Sequence, residues 1–157
     1  MSTPLLPSKD FKEFVELLNA RKVDYLVVGG YAVAWHGHPR FTADIDFFVR
    51  RGLENGEALE AVLVEFGFRS LGIQAADFLL EDQIFQLGHK PLRIDLITSI
   101  AGVDFETAWE HRVAGEIAGL PVNFISYEDL LINKEATGRP QDLADLDKLR
   151  KRKPKKA

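Results

Sequence analysis

The chain has no cysteine, a single methionine and no long apolar run. Without cysteine there are no disulfides, no zinc–thiolate sites and no thiol nucleophile. No stretch approaches the roughly 20 apolar residues that cross a bilayer, so no membrane partner is expected. Met1 to Asp10 contains two prolines and no apolar h-region, unlike a signal peptide. With neither leader nor disulfide, the cytoplasm is the expected compartment. Internal repeats and low-complexity linkers are also missing, and no serine sits in a recognisable nucleophile motif.

What is present fits one domain. A chain of 157 residues with 46% hydrophobic residues can fill one core but not two. The expected division is a folded domain over 1–150 and a basic tail over 151–157. The net charge of −4 conceals an asymmetry, because Lys148 to Ala157 holds seven Lys or Arg and no acid. Removing those seven leaves 13 basic against 24 acidic residues in the body. An acidic body argues against a broad nucleic-acid face. The tail reads either as a local phosphate contact or as a solvated terminus.

Hydrophobic periodicity gives the order of elements. Phe11, Phe14, Val15, Leu17 and Leu18 recur at helical spacing after Ser8, which predicts a helix over Lys9 to Arg21. Tyr25 to Val28 reads as a strand running into Gly29-Gly30, followed by a short helix over Tyr31 to Trp35. Ile45 to Val49 is a second strand, and a helix from about Glu57 ends at Phe66 before Gly67. Gln83 to Leu87 and Leu92 to Thr98 are expected to pair around the turn Gly88-His89-Lys90-Pro91. Phe105 to Arg112 reads as helix and Val122 to Ile125 as strand. Ser126 is expected to cap a helix ending at Thr137 and Gly138, and Pro140 to start another that reaches about Lys151. Together these predict an α/β fold with a mixed sheet flanked by helices.

The densest chemistry lies in Arg40-Phe41-Thr42-Ala43-Asp44-Ile45-Asp46-Phe47-Phe48-Val49. Side chains alternate along a strand, so Asp44 and Asp46 share one face while Ile45 and Phe47 share the other. Two carboxylates so placed repel one another and call for a cation or a proton. Mg²⁺ favours carboxylate oxygens together with phosphates and water, and Mn²⁺ can substitute. By the same alternation Arg93 and Asp95 lie on one face of their strand, opposite Leu92, Ile94 and Leu96. If that strand adjoins the Asp44/Asp46 strand, three carboxylates converge and a two-ion clamp becomes possible. The bland alternative makes the aspartates cap residues, with Asp95 paired to Arg93. Gly29-Gly30 allows phosphate to approach the backbone at a helix start, although strand-to-helix turns use glycines for steric reasons too.

A strand, Gly-Gly and a helix, then Asp44-Ile45-Asp46 and a later single Asp95, resembles the polymerase-beta-type nucleotidyltransferase superfamily. The stretch Arg40 to Asp46 is most similar to AbiEii-like minimal nucleotidyltransferases of toxin–antitoxin systems. The resemblance is strongest from Tyr25 to Val49. It implies the nucleotidyltransferase fold and Mg²⁺-dependent transfer of a nucleotide from an NTP such as ATP to an RNA (for example tRNA) or protein acceptor, releasing pyrophosphate. It also implies a cognate toxin or antitoxin as partner. Asp44 and Asp46 would then bind the metals holding the triphosphate, and Asp95 the catalytic ion near the attacking hydroxyl. Gly29 and Gly30 would line the triphosphate. The chain has Gly-Gly-Tyr where many members have Gly-Ser, which leaves one phosphate contact to be supplied elsewhere, and Arg40 or Thr42 could do so.

Other residues are open to two readings. Lys134 shares a helix face with Leu130 and Leu131, so it either snorkels to water or reaches the NTP phosphates. Arg40 either grips a phosphate or pairs with an aspartate. Arg139, Asp142 and Asp145 echo the family's C-terminal pattern but read as a solvated face. His36 and His38 lack a third ligand at a suitable spacing and read as loop residues. Trp35 and Trp109 read as core. Two rival functions remain: a nucleotide- or partner-binding module of the same fold, and a glycosyltransferase with an Asp-x-Asp metal motif, which the upstream glycines disfavour.

Overall fold

Two apolar strands early in the chain form the middle of the sheet. The computed structural model describes residues 9–88 and 93–151. Tyr25–Val28 (β1) is buried along its whole length, as is Phe47 to Val49 at the end of Asp44–Val49 (β2). Strands buried on both faces belong mid-sheet. Ile84–Leu87 (β3) and Arg93–Ile97 (β4) pair antiparallel, and β4 runs parallel to β2. On the other side β1 runs parallel to Leu120–Phe124 (β6), which pairs antiparallel with Val113–Ile117 (β5). The result is one six-stranded mixed sheet in the order β3-β4-β2-β1-β6-β5.

The helices divide the two faces. Phe14 of Lys9–Ala20 (α1) meets Phe47 of β2 and Phe66 of Leu53–Phe66 (α3), with ring centroids 5.9 and 5.3 Å apart. That face carries Ile45 and Phe47, the apolar half of the β2 alternation. On the opposite face Phe48 packs edge-on against Phe105 of Phe105–Glu110 (α4). Asp44 and Asp46 project from the same face as Phe48, towards the end where Gly29–Trp35 (α2), Tyr127–Thr137 (α5) and Pro140–Lys151 (α6) gather.

Most expected elements are present, several with shifted ends. The helix expected from Glu57 begins at Leu53, and the short helix expected from Tyr31 begins at Gly29. Ser126 does cap α5, accepting from the Asp129 N–H at 3.1 Å, and Gly138 ends it in the left-handed conformation. The predicted turn at 88–91 lies mostly outside the described residues, as do 152–157 of the basic tail. Its first residues, Lys148, Arg150 and Lys151, form the last turn of α6.

Three elements escape periodicity: β5 and the 3₁₀ turns Arg69–Leu71 and Ala75–Leu79. In β5, Gly115 interrupts the pattern because the Trp35 and Phe124 rings lie where its Cβ would project, 2.7 and 2.8 Å away. An aromatic ring covering a strand glycine restores the packing that the residue itself lacks.

Candidate active site

Strand register brings the three aspartates together. Asp46 and Asp95 are partners across the parallel β2–β4 pairing, and Asp44 is the partner of Arg93. Side chains of paired residues share a face, so Asp44, Asp46, Arg93 and Asp95 all point into one cleft of about 830 Å³. Val28, Gly29 and Gly30 form its wall on the β1 side, while Lys134, Arg139 and Asp142 border it from α5 and α6.

The two glycines are required by contact distance. Gly29 has φ of +67°, and a Cβ there would stand 2.1 Å from Asp46 Oδ2. A Cβ on Gly30 would stand 2.7 Å from Thr42 Oγ1. The Asp46 carboxylate therefore rests against bare backbone at the start of α2. Thr42 donates its hydroxyl to the Asp44 carbonyl at 3.1 Å, which holds the chain entering β2.

Charge is unevenly compensated. Arg93 donates through Nε to Asp95 Oδ1 at 2.9 Å and through Nη2 to Asp95 Oδ2 at 3.2 Å and Asp44 Oδ2 at 3.0 Å. The Arg93–Asp95 pairing expected under the bland alternative thus coexists with the convergence of all three acids. Asp46 receives no such fork. Burial, then repulsion from Asp95 and Asp44 and a hydrogen bond to Asp95, push its carboxyl up to about 7.

Among the described residues, no group of three or more His, Asp or Glu is arranged as a ready metal cage. The donor chemistry still fits a hard divalent cation. Three carboxylates share the cleft, and burial together with the other two acids holds Asp46 partly protonated, a charge deficit that a cation would relieve.

A second cluster corrects the solvated-face reading of Asp142 and Asp145 and excludes one of the two readings of Lys134. Asp142 and Asp145 are not on a solvated face, since both are fully buried. Lys134 does not snorkel to water: its ammonium is buried, 3.2 Å from Asp142 Oδ1 and 3.1 Å from Asp145 Oδ2. Arg139 Nε donates to Asp142 at 2.6 Å. Arg40 forks onto Asp145, with Nε and Nη2 at 2.8 and 2.9 Å. Burial alone would raise both carboxyls. Hydrogen bonds from Arg139, Thr137 and Lys134 to Asp142, and from Arg40 and Lys134 to Asp145, instead hold them below the usual carboxylate range. The network ties the Arg40 loop to α5 and α6 and so fixes the roof of the cleft. Its sequence signal was the recurrence of Asp142 and Asp145 three residues apart, on the same side of α6 as Leu146 and Leu149.

The remaining expectations resolve simply. His36 is buried with Nε2 2.8 Å from the Ile125 carbonyl, so it joins α2 to the end of β6 and is unavailable to an ion shared with His38. Trp35 stacks on Phe124 with centroids 4.7 Å apart, and Trp109 stacks on Phe105 at 5.6 Å.

Residues 9–150 match the family described as nucleotidyltransferase of unknown function, DUF6036. The chain belongs to this family. Solved structures share the fold of this DUF6036 member at low identity. An antigenic nucleotidyltransferase-like protein from Paracoccidioides brasiliensis is 18% identical with a TM-score of 0.51, covering 89% of this chain and 74% of that one. A candidate nucleotidyltransferase from Thermotoga maritima is 16% identical with a TM-score of 0.53, covering 90% and 88%. The antibiotic-resistance factor ANT(2'')-Ia is 18% identical with a TM-score of 0.50, covering 89% and 80%. No curated protein matches the chain.

Proposed function

We propose that this DUF6036 protein is a divalent-metal-dependent nucleotidyltransferase that moves a nucleotide from an NTP to an acceptor and releases pyrophosphate. One observation carries the reading: Asp44, Asp46 and Asp95 lie on one sheet face, with the Asp46 carboxylate against the bare backbone of Gly29. That combination places anionic oxygens for cations beside a helix start whose N–H groups suit phosphate.

In this reading Asp44 and Asp46 would hold Mg²⁺ or Mn²⁺ with the triphosphate, and Asp95 would hold the catalytic ion near the attacking hydroxyl. A metal held there would supply charge neutralisation of the triphosphate and of the leaving pyrophosphate. Gly29 and Gly30 admit the phosphates, and Thr42 fixes the approach of β2. Arg40 and Lys134 act from one layer further out, holding α6 over the cleft through Asp145 and Asp142. Arg139 lies at the cleft edge, three-quarters exposed, and is the better placed cation for a phosphate.

The acceptor in this proposal is an RNA such as tRNA, or a protein hydroxyl, within a toxin–antitoxin-type pair acting in the cytoplasm. Support comes from the likeness of Arg40 to Asp46 to such enzymes and from the basic run Lys148 to Lys156 on an acidic body. Among the described residues no helix is long and apolar enough to cross a membrane. Incubating the protein with α-labelled NTPs, Mg²⁺ and either a tRNA pool or a co-purified partner tests the reading. Label should transfer to one of them, and the Asp46→Asn variant should transfer none.

A second reading is favoured by the Arg93 fork, which already satisfies Asp44 and Asp95: a nucleotide-binding module without turnover. It predicts that nucleotide binds with no pyrophosphate released.

A further inference from the structure

One cation of the cleft, Arg93, lies directly against the aspartates. It sits two residues before Asp95 on the same face of β4, and β2–β4 register sets it directly beside Asp44. Three charge-assisted hydrogen bonds result, two to Asp95 and one to Asp44, at 2.9 to 3.2 Å. A planar fork of this kind matches carboxylate geometry and holds its place better than a lysine ammonium would. The oxygens it takes are those a divalent cation would need. Yet Arg93 is not locked in the core, since its side chain is 28% exposed and lines the open cleft.

We propose that Arg93 is a tethered counter-ion that competes with the divalent cation for Asp44 and Asp95, and makes metal binding depend on nucleotide. This rests on the nucleotidyltransferase reading above. A bare cation must displace the guanidinium, leaving a positive charge beside a positive ion. A cation arriving with a triphosphate brings an anionic partner for the displaced fork, and a bidentate arginine–phosphate pair replaces the arginine–carboxylate one. Metal and nucleotide then strengthen each other's binding through one residue, and reciprocity requires the effect to be equal in both directions. The consequence is selectivity for the metal–NTP complex over free metal.

Mn²⁺ binding measured by electron paramagnetic resonance, alone and with α,β-methylene ATP, tests this on the wild type, Arg93→Gln and Arg93→Lys. The wild type should bind Mn²⁺ weakly alone and at least fivefold more tightly with the analogue, a typical coupling. Arg93→Gln should bind Mn²⁺ alone about fivefold or more tightly than the wild type and lose most of the gain from the analogue. Arg93→Lys keeps the charge but not the fork, and should fall between the two. Thermal melts establish that each variant is folded, and a folding defect would not tighten metal binding. Wild-type affinity for Mn²⁺ alone in Arg93→Gln, or in Arg93→Lys, would overturn the competition and leave the transferase reading standing. Absence of Mn²⁺ binding in all three proteins, with and without the analogue, would overturn both.

Discussion

Asp46 and Asp95 are register partners on parallel neighbouring strands, separated by 49 positions in the chain but adjacent in the sheet. Their carboxyls repel, only Asp95 is neutralised by the Arg93 fork, and the Asp46 proton is held to about 7. Every chemical property proposed for the cleft follows from this pairing and from what neutralises it.

The first consequence is a pH dependence in the presence of chelator. Asp46 titrates near 7 in the folded protein against 3.8 when unfolded, so the folded state holds the proton more tightly. Its contribution to stability is full at low pH, declines as pH rises through this window and levels off above about 7. Urea unfolding with EDTA should therefore show stability falling by on the order of 1–2 kcal/mol from pH 5 to 7, one pKa unit being about 1.4 kcal/mol. Asp46→Asn should flatten that slope, and an unchanged slope would assign the effect to another group.

The roof network should behave in the opposite sense. Asp142 and Asp145 are held below the usual carboxylate range, so their stabilisation is present above about 4 and is lost as pH falls through their lowered folded values. Lys134→Met leaves these two buried acids short of a partner and should cost about 3–5 kcal/mol by denaturant unfolding. A cost under about 1 kcal/mol would mean that the network relaxes to water and does not hold α6.

Close approach makes Gly30 a steric test of the cleft wall. A Cβ there meets Thr42 Oγ1 and Cβ at 2.7 and 2.8 Å. Gly30→Ala should destabilise by about 1–3 kcal/mol, the usual cost of overpacking. Combining it with Thr42→Gly, which removes the Cβ as well as the hydroxyl, should recover much of that loss, giving a coupling energy above about 0.5 kcal/mol in a double-mutant cycle. Additive losses would place Thr42 out of contact with α2.

The sequence pattern carried the strands β1, β2, β3, β4 and β6, the capped ends of α5 and the shared face of Asp44 and Asp46. Those features are local: alternation, a cap and a glycine stop each lie within a few residues. What it did not carry depends on distance along the chain. Asp145 pairs with Arg40 across 105 positions, so Asp142 and Asp145 read as a solvated face although both are buried. Arg93 was visible beside Asp95, but its bond to Asp44 needed the β2–β4 register. The strand β5 was hidden because Gly115 borrows its apolar contact from Trp35, 80 residues earlier and on another element.

Charge along the C-terminus gives a test of the acceptor. Deleting residues 152–157 removes four of the seven basic residues after Asp147. If an RNA acceptor uses them, tRNA affinity by fluorescence anisotropy should fall and its dependence on salt should flatten, since fewer counterions are released. NTP binding should be unchanged. Equal RNA binding by both forms would favour a protein acceptor.

The most direct measurement is release of labelled pyrophosphate from γ-labelled NTP with Mg²⁺, for the wild type and for Asp44→Asn, Asp46→Asn and Asp95→Asn. Each variant is also melted to show that it is folded. The account predicts release by the wild type that stops with EDTA and falls at least a hundredfold in each asparagine variant, as expected when a carboxylate that binds the metal is lost. Wild-type release rates in folded Asp46→Asn and Asp95→Asn would contradict it, because the paired aspartates would then not be the reaction centre.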